Sequence, residues 1–321
     1  MKALKKILNI SLPLLLGVFL VYYAYNQFTP DQITEMKSYF GSADYFYIGL
    51  SLLFMKISHA SRAYRWKYSL QYLGYQSNFW NNFMAISVGY LLNLTIPRSG
   101  ELSRAAVLQK YDKIPFDKGF GTIIAERIID LLFLLLFVAT ALLLQYKQLM
   151  GFITQQIPVK QLVIICGLFV ISAIVGSYLL YTSNWKIFVF IRKKITGLVE
   201  GILSIFKMPH RIPFLIHTFI IWIGFVLTFY FGTKALPETS EISLGIIMVA
   251  FVVGSLAISF TNGGFGAFPL LIAKILALYG ISLTAGTAFG WLLWTTQTVS
   301  IVVLGGLSFL ILPIVNKEKL S

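Results

Sequence analysis

The chain has 321 residues, of which 57% are apolar and 12% charged, with a mean hydropathy of +0.79. Soluble domains carry roughly 25% charged residues, so the composition excludes an ordinary water-soluble globule. The formal net charge of +14 would suggest nucleic acid for a soluble chain, but these cations flank apolar segments, where an anionic membrane face accounts for them and no nucleic-acid partner is implied.

Apolar stretches recur from residue 7 to residue 314 without a long polar insert, which reads as one integral membrane domain over 1–321. A helix that crosses the hydrocarbon core needs about 20 mostly apolar residues. Segments 5–25, 45–66, 119–146, 161–182, 212–236 and 286–313 meet that requirement. Lys2, Lys5 and Lys6 make the first resemble a secretory signal, yet its far end, Leu20-Val21-Tyr22-Tyr23-Ala24-Tyr25, has no small-residue cleavage site. It is expected to stay as a signal anchor. Cys166 is the only cysteine, so neither an intrachain disulfide nor a cysteine metal site is possible.

Two further regions are apolar but interrupted. Residues 79–112 carry Asn81, Asn82, Asn93, Thr95, Pro97, Arg98, Glu101 and Arg104, and residues 243–282 are broken by Ser259-Phe260-Thr261-Asn262-Gly263-Gly264-Phe265-Gly266. Each reads as two short helices around a break, a backbone tolerated at membrane depth only inside protein or a wet cavity. Both are expected to be re-entrant hairpins.

Charge placement agrees with that expectation. If 79–97 crossed fully, Lys110, Lys113, Lys118 and the cluster Lys186, Arg192, Lys193, Lys194, Lys207 and Arg211 would fall outside, against the positive-inside tendency. With both hairpins returning, 17 cations collect inside, including Lys2, Lys5, Lys6, Arg62, Arg65, Lys67, Lys317 and Lys319, and only Lys37, Lys147, Lys160 and Lys234 stay outside. Both chain ends are then cytoplasmic. The resulting order, span, span, hairpin, span, occurs twice with opposite orientation, so residues 1–150 and 151–321 form an inverted repeat of about six spans and two hairpins, an arrangement common in secondary transporters.

Candidate chemistry concentrates in the first break. Pro97 stops one helix and Gly100 permits a turn, so a new helix begins near Gly100 with free N–H groups that attract an anion. Arg98 and Arg104 can each offer a planar donor fork to a phosphate, Asn93 adds an amide, and Glu101 and Arg104, three apart, can pair along one face. The alternative is an internal ion-pair network of Arg98, Glu101 and Arg104 that holds the hairpin. Further on, Glu126 and Asp130 share a helix face around Arg127, roughly one to two turns from the inner end of their span. Two such carboxylates need a cation between them or a proton on one. Arg98, Arg104 or Arg127 could be that cation; a titrating carboxylate would instead suit proton or sodium coupling.

The second break, with Asn262, Gly263, Gly264 and Gly266, offers unobstructed backbone groups to a ligand, although close helix packing explains such glycines equally well. His59, His217 and Lys274 stand apart, with no histidine pair at metal-ligand spacing, and read as core or interface residues. Arg62, Arg65, Trp66 and Lys67 end the second span and read as an interfacial anchor. Tyr and Phe, at 17 and 27, read mainly as lipid-facing or packing residues. No metal or cofactor is implied.

Asn93 to Arg104, followed by Glu126-Arg127-Ile128-Ile129-Asp130 after a short basic loop, resembles the membrane domain of the lysylphosphatidylglycerol synthase and flippase family. Arg62, Arg65 and Trp66 resemble its second-span end, and Gly263, Gly264 and Gly266 its later glycine-rich break, so the resemblance runs over nearly the whole chain. It implies a lipid-translocating membrane domain; lysine transfer belongs to a separate soluble domain, which these 321 residues do not include, so no synthase activity is expected. Some relatives are fused to glycosyltransferases, which makes a separately encoded glycosyltransferase or lipid-modifying enzyme a candidate protein partner. The chain departs from many relatives after the glycine break, where Ala267-Phe268-Pro269 stands in place of a glutamate.

The expectation is therefore an all-α polytopic protein of the cell (inner) membrane that moves a lipid or lipid-linked precursor, anionic phospholipid or polyprenyl-linked, across the bilayer. An ion-coupled carrier of a small anion and a non-transporting partner of a lipid or glycan synthesis enzyme are the alternatives. Enzymatic lipid chemistry is not expected, because it needs a nucleophile or base beside the phosphate or a metal held by several Asp residues, and Ser99 and His59 have no evident partners in the sequence.

Overall fold

The structure is a computed structural model that describes residues 28–96, 98–148, 159–192, 207–261 and 263–317, with isolated positions at 19, 22, 23, 25, 26 and 151. Most of the expected first span, together with Pro97 and Asn262, lies outside the described residues. Within them the regular elements are helices, without strands.

A short helix α1 (Pro30–Ser42) opens the ordered series, started by a capping box in which Thr29 and Gln32 bond each other's backbone. Asp44 then caps α2 (Tyr45–Tyr72) and Asn78 caps α3 (Phe79–Thr95), each side chain accepting from a backbone N–H two residues on. After the break come α4 (Ser99–Tyr111) and the long α5 (Phe116–Leu144). The second half opens on α6 (Val159–Thr182) and then follows the order of α2 to α5: α7 (Arg211–Thr233), after a single turn α8 (Pro237–Ser240) the short pair α9 (Leu244–Phe260) and α10 (Ala267–Ala277), and the long α11 (Leu283–Val315). Each of the two interrupted regions is thus a 17-residue helix, a break, and a helix of 13 or 11 residues.

By length and composition α5, α7 and α11 are fit to cross a membrane, and α9 and α10 are apolar but shorter. Their outer faces carry exposed Leu131, Leu135, Leu143, Val302, Leu310 and Ile314, a surface too apolar for water and suited to lipid tails. At 28 residues, α2 runs about 42 Å, past the expected end at residue 66.

The packing pairs the two halves reciprocally. Helices α2 and α7 lie along each other; α3 packs on α11 of the second half, and α9 packs on α5 of the first. The two largest apolar cores lie around Trp66, Leu70, Ile86, Leu108 and Ile123 in α2 to α5, and around Phe229, Phe251, Phe268 and Phe289, mainly in α7 to α11. A buried amide exchange between Asn81 and Asn316, with Asn81 also donating to Asp112 at 2.8 Å, ties the first short-helix pair to the end of α11.

Candidate functional site

The site is built where α2, α4 and α5 converge above the first core. Trp66, fully buried, donates from its indole N–H to Thr122 at 2.9 Å and so locks α2 to α5. On neighbouring turns of α2, Arg62 and Arg65 point inward, 4% and 0% exposed. Both reach Asp130: Arg62 Nη1 at 2.8 Å from Oδ2, and Arg65 Nη1 at 2.7 Å from Oδ1. Arg65 Nε also stands 3.5 Å from Glu126, whose other oxygen lies 2.9 Å from Arg104 Nη2. The Arg104 guanidinium lies 4.1 Å from the centre of the Trp66 ring, within cation–π range. Arg127, half exposed, bonds Glu101 at 2.8 Å and stands 3.8 Å from Asp130.

Several sequence expectations change here. Arg62, Arg65 and Trp66 are the centre of the buried cluster and not an interfacial anchor. A basic-aromatic group at a helix end has the same local composition in either role, and the partner that distinguishes them, Asp130, lies 65 residues from Arg65. The cation between Glu126 and Asp130 is Arg65, and not Arg98, Arg104 or Arg127 as expected. Glu101 and Arg104 do not pair along their helix; each takes its partner from α5, Arg127 and Glu126 respectively. Because α5 begins at Phe116, Glu126 sits nearly three turns inside it, deeper than expected.

The first break is tightly made. Arg98 adopts the left-handed conformation, φ 61 and ψ 13, as the residue before α4, and its side chain stands exposed. The Gly100 N–H, expected to be free for an anion, donates to Asn93 Oδ1 at 2.7 Å, and Ser99 N–H donates to Ile96. Helix α3 approaches α4 so closely that a Cβ on Gly100 would overlap the Gly89 carbonyl oxygen and the Asn93 amide.

Behind that contact lies a small cavity with room for about one water molecule, lined by Arg62, Gly89, Tyr90, Asn93, Gly100, Arg104 and Arg127. Among the described residues the buried Nε atoms of Arg62, Arg65 and Arg104 and the Tyr90 hydroxyl have no hydrogen-bond partner, and neither do Oε2 of Glu101 and Oε1 of Glu126. Four guanidinium groups face three carboxylates in the cluster, which leaves a formal surplus of one positive charge. Unsatisfied donors and uncompensated charge in a low-dielectric site are both costly, and an anion would relieve both.

At the second break, Gly263, Gly264 and Gly266 take φ of 64, 81 and 70; here the glycines are needed for backbone conformation. Trp294 donates its indole N–H to the Gly263 carbonyl at 2.8 Å, and Phe265, Trp291 and Trp294 pack ring to ring. A Cβ on Gly263 would meet Leu94, so this break abuts the end of α3, next to the cavity-lining Asn93. The two breaks therefore meet.

Helix α2 holds one more feature that the sequence reading passed over. Lys56, His59, Arg62 and Arg65 recur every third residue within its span. His59 is buried and stacks on Tyr90 at 4.6 Å, and the Lys56 Nζ is buried without a hydrogen-bond partner among the described residues. His217 is less isolated than expected, with Nδ1 2.9 Å from the Ser61 hydroxyl and its ring against Tyr64 and Tyr68, whereas Lys274 is exposed.

Lipid-suited outer faces around a buried guanidinium–carboxylate cluster and two abutting helix breaks define a helical membrane protein with a polar interior. Residues 9–311 match the family described as the lysylphosphatidylglycerol synthase TM region, and the chain belongs to that family. It is also 31% identical over 109 residues to the UPF0104 membrane protein MJ1595 of Methanocaldococcus jannaschii. That stretch is 33% of this chain and 32% of the archaeal protein, about a third of the relative's length. No solved structure matches the chain.

Proposed function

We propose that this protein moves a lipid or lipid-linked precursor with an anionic headgroup across the cell membrane. One observation carries the reading: the cluster of buried Arg62, Arg65 and Arg104 with half-exposed Arg127 exceeds its carboxylates by one charge, and Arg62, Arg104 and Tyr90, which hold unpartnered donors, line a cavity beside a helix break. A charged headgroup faces a barrier of several kcal/mol or more in hydrocarbon. Guanidinium groups along the path lower it while the acyl tails stay in lipid.

The architecture in this reading is six spans and two re-entrant hairpins in an inverted repeat, with both ends cytoplasmic. Three features support it. Helices of 17, 13 and 11 residues reach about 26 Å or less, short of a core about 30 Å thick. The order long, short, short, long occurs twice, and each first short helix packs on the last long helix of the other half. Motion of one repeat against the other would then alternate access.

The cargo is an anionic phospholipid or polyprenyl-linked lipid, and a separately encoded glycosyltransferase or lipid-modifying enzyme is the matching protein partner. An enzymatic role is not proposed, because Glu101, Glu126 and Asp130 each accept from a guanidinium and are poorly placed to act as bases. The small size of the cavity favours one second reading, an ion-coupled carrier of a small soluble anion.

Reconstitution into liposomes tests both. The native chain should speed leaflet exchange of a fluorescent anionic phospholipid or a polyprenyl phosphate, and Arg104→Gln and Glu126→Gln should slow it. Release of trapped inorganic phosphate without lipid exchange would select the carrier. Failure to move any of these probes, or folded variants that work normally, would overturn the proposal.

A further inference from the structure

Every carboxylate of the buried cluster is taken by a guanidinium, yet α2 carries one more cation on the same flank. Lys56 lies six residues before Arg62, about 9 Å along the helix axis. Its Nζ is buried, so the side chain does not snorkel to an aqueous interface in the usual way, and among the described residues it has neither a hydrogen bond nor an ion pair. A buried ammonium without a counter-charge is among the most costly arrangements inside a protein.

Between Lys56 and Arg62 stands His59, stacked on Tyr90 at 4.6 Å. Tyr90 also lines the cavity, and among the described residues its hydroxyl has no hydrogen-bond partner. The order along α2 is therefore an unpaired ammonium, a stacked ring pair, and a cavity with unpartnered guanidinium nitrogens. We propose that Lys56 is a second oxyanion-binding station, separated from the Arg62–Arg104 cavity by the His59–Tyr90 stack, and that a phosphate-bearing group moves between the two. The assignment of this group to a lipid headgroup rests on the transport reading above; the station itself does not.

The experiment uses the full chain in detergent and compares native protein with Lys56→Met and Lys56→Arg. Thermal unfolding is followed during titration with dihexanoyl phosphatidylglycerol, with neutral dihexanoylglycerol as the control and inorganic phosphate as the soluble oxyanion. Without anion, Lys56→Met should unfold at a higher temperature than the native chain, because the uncompensated charge is gone. Its titration midpoint for the anionic lipid should rise roughly fivefold or more, and Lys56→Arg should keep the native midpoint within about twofold.

A merely structural lysine would move the first readout the other way, so a lowered unfolding temperature in Lys56→Met overturns the station. So does a native midpoint in that variant, or a native chain that no oxyanion stabilises. A Lys56-dependent response to inorganic phosphate as strong as that to the lipid supports the station but assigns it to a soluble anion. In liposomes, Lys56-dependent binding without leaflet exchange keeps the station and sinks the transport reading. Exchange that Lys56→Met leaves untouched does the reverse.

Discussion

Arg65 and Asp130 meet in a forked contact, with Nη1 2.7 Å from Oδ1 and Nη2 3.2 Å from Oδ2. The fork joins α2 to α5 through two side chains that water barely reaches; Arg62 depends on this one carboxylate, and Arg65 has it as its nearer partner, with Glu126 at 3.5 Å. Removing Asp130 strands Arg62, leaves Arg65 only its longer contact with Glu126, and enlarges the positive surplus. Removing Arg65 brings the cluster to formal neutrality, with Arg62 still on Asp130 and Arg104 still on Glu126. Breaking a buried pair costs about 3–5 kcal/mol, so Asp130→Asn should lie in that range and Arg65→Gln below it. Thermal unfolding of the two variants in detergent gives the order, and a reversed order would contradict the charge count.

Gly100 sits where α4 leaves the break against Gly89 of α3. The atoms that an added methyl would strike include backbone, which cannot swing aside. Gly100→Ala should therefore destabilise by about 1–3 kcal/mol and reduce the yield of monodisperse protein. Gly121, in the second turn of α5, has open space around its position. Gly121→Ala should be neutral or stabilising by about 0.5–1 kcal/mol, which makes it the control on size-exclusion profiles and unfolding temperature.

Helix positions were legible in the sequence because apolar length and breaker residues act locally. The short pairs 79–112 and 243–282 became α3–α4 and α9–α10, divided at Arg98 and at the glycine run. The partners inside the bundle were not legible. Glu101 and Arg104 are neighbours on one helix, yet each is claimed by α5, where Arg127 and Glu126 come within 2.8 and 2.9 Å of them. Arg62 and Arg65 do carry a local signal: a basic residue every third position from Lys56 to Arg65 is unusual within an apolar helix, and an interfacial anchor does not explain Lys56.

Arg98 separates folding from function. Its positive φ costs about 1–2 kcal/mol for a residue with a Cβ, and its side chain is exposed and outside the ion cluster. Arg98→Gly should leave the fold intact and raise its stability by about 1 kcal/mol. If the exposed guanidinium greets the headgroup at the break, the same variant should slow leaflet exchange of an anionic lipid, and Arg98→Lys should lose less. An Arg98→Gly chain that is more stable and equally active would remove Arg98 from the headgroup path while leaving the buried cluster untouched.

The sidedness of two exposed lysines tests the re-entrant hairpin directly. Lys113 follows α4 and Lys186 follows α6. If α3 and α4 enter and leave on one side, α5 and α6 carry the chain out and back, and both lysines face the cytoplasm. If α3 crossed alone, both would move to the outside. Single cysteines at 113 and 186 in a Cys166→Ser background should therefore resist an impermeant maleimide in intact cells and react after the membrane is opened. Cysteines at Lys37 and Lys234, on the expected outer loops, should react in intact cells. Labelling of 113 and 186 from outside would remove the returning hairpin and, with it, the opposed orientation of the two halves.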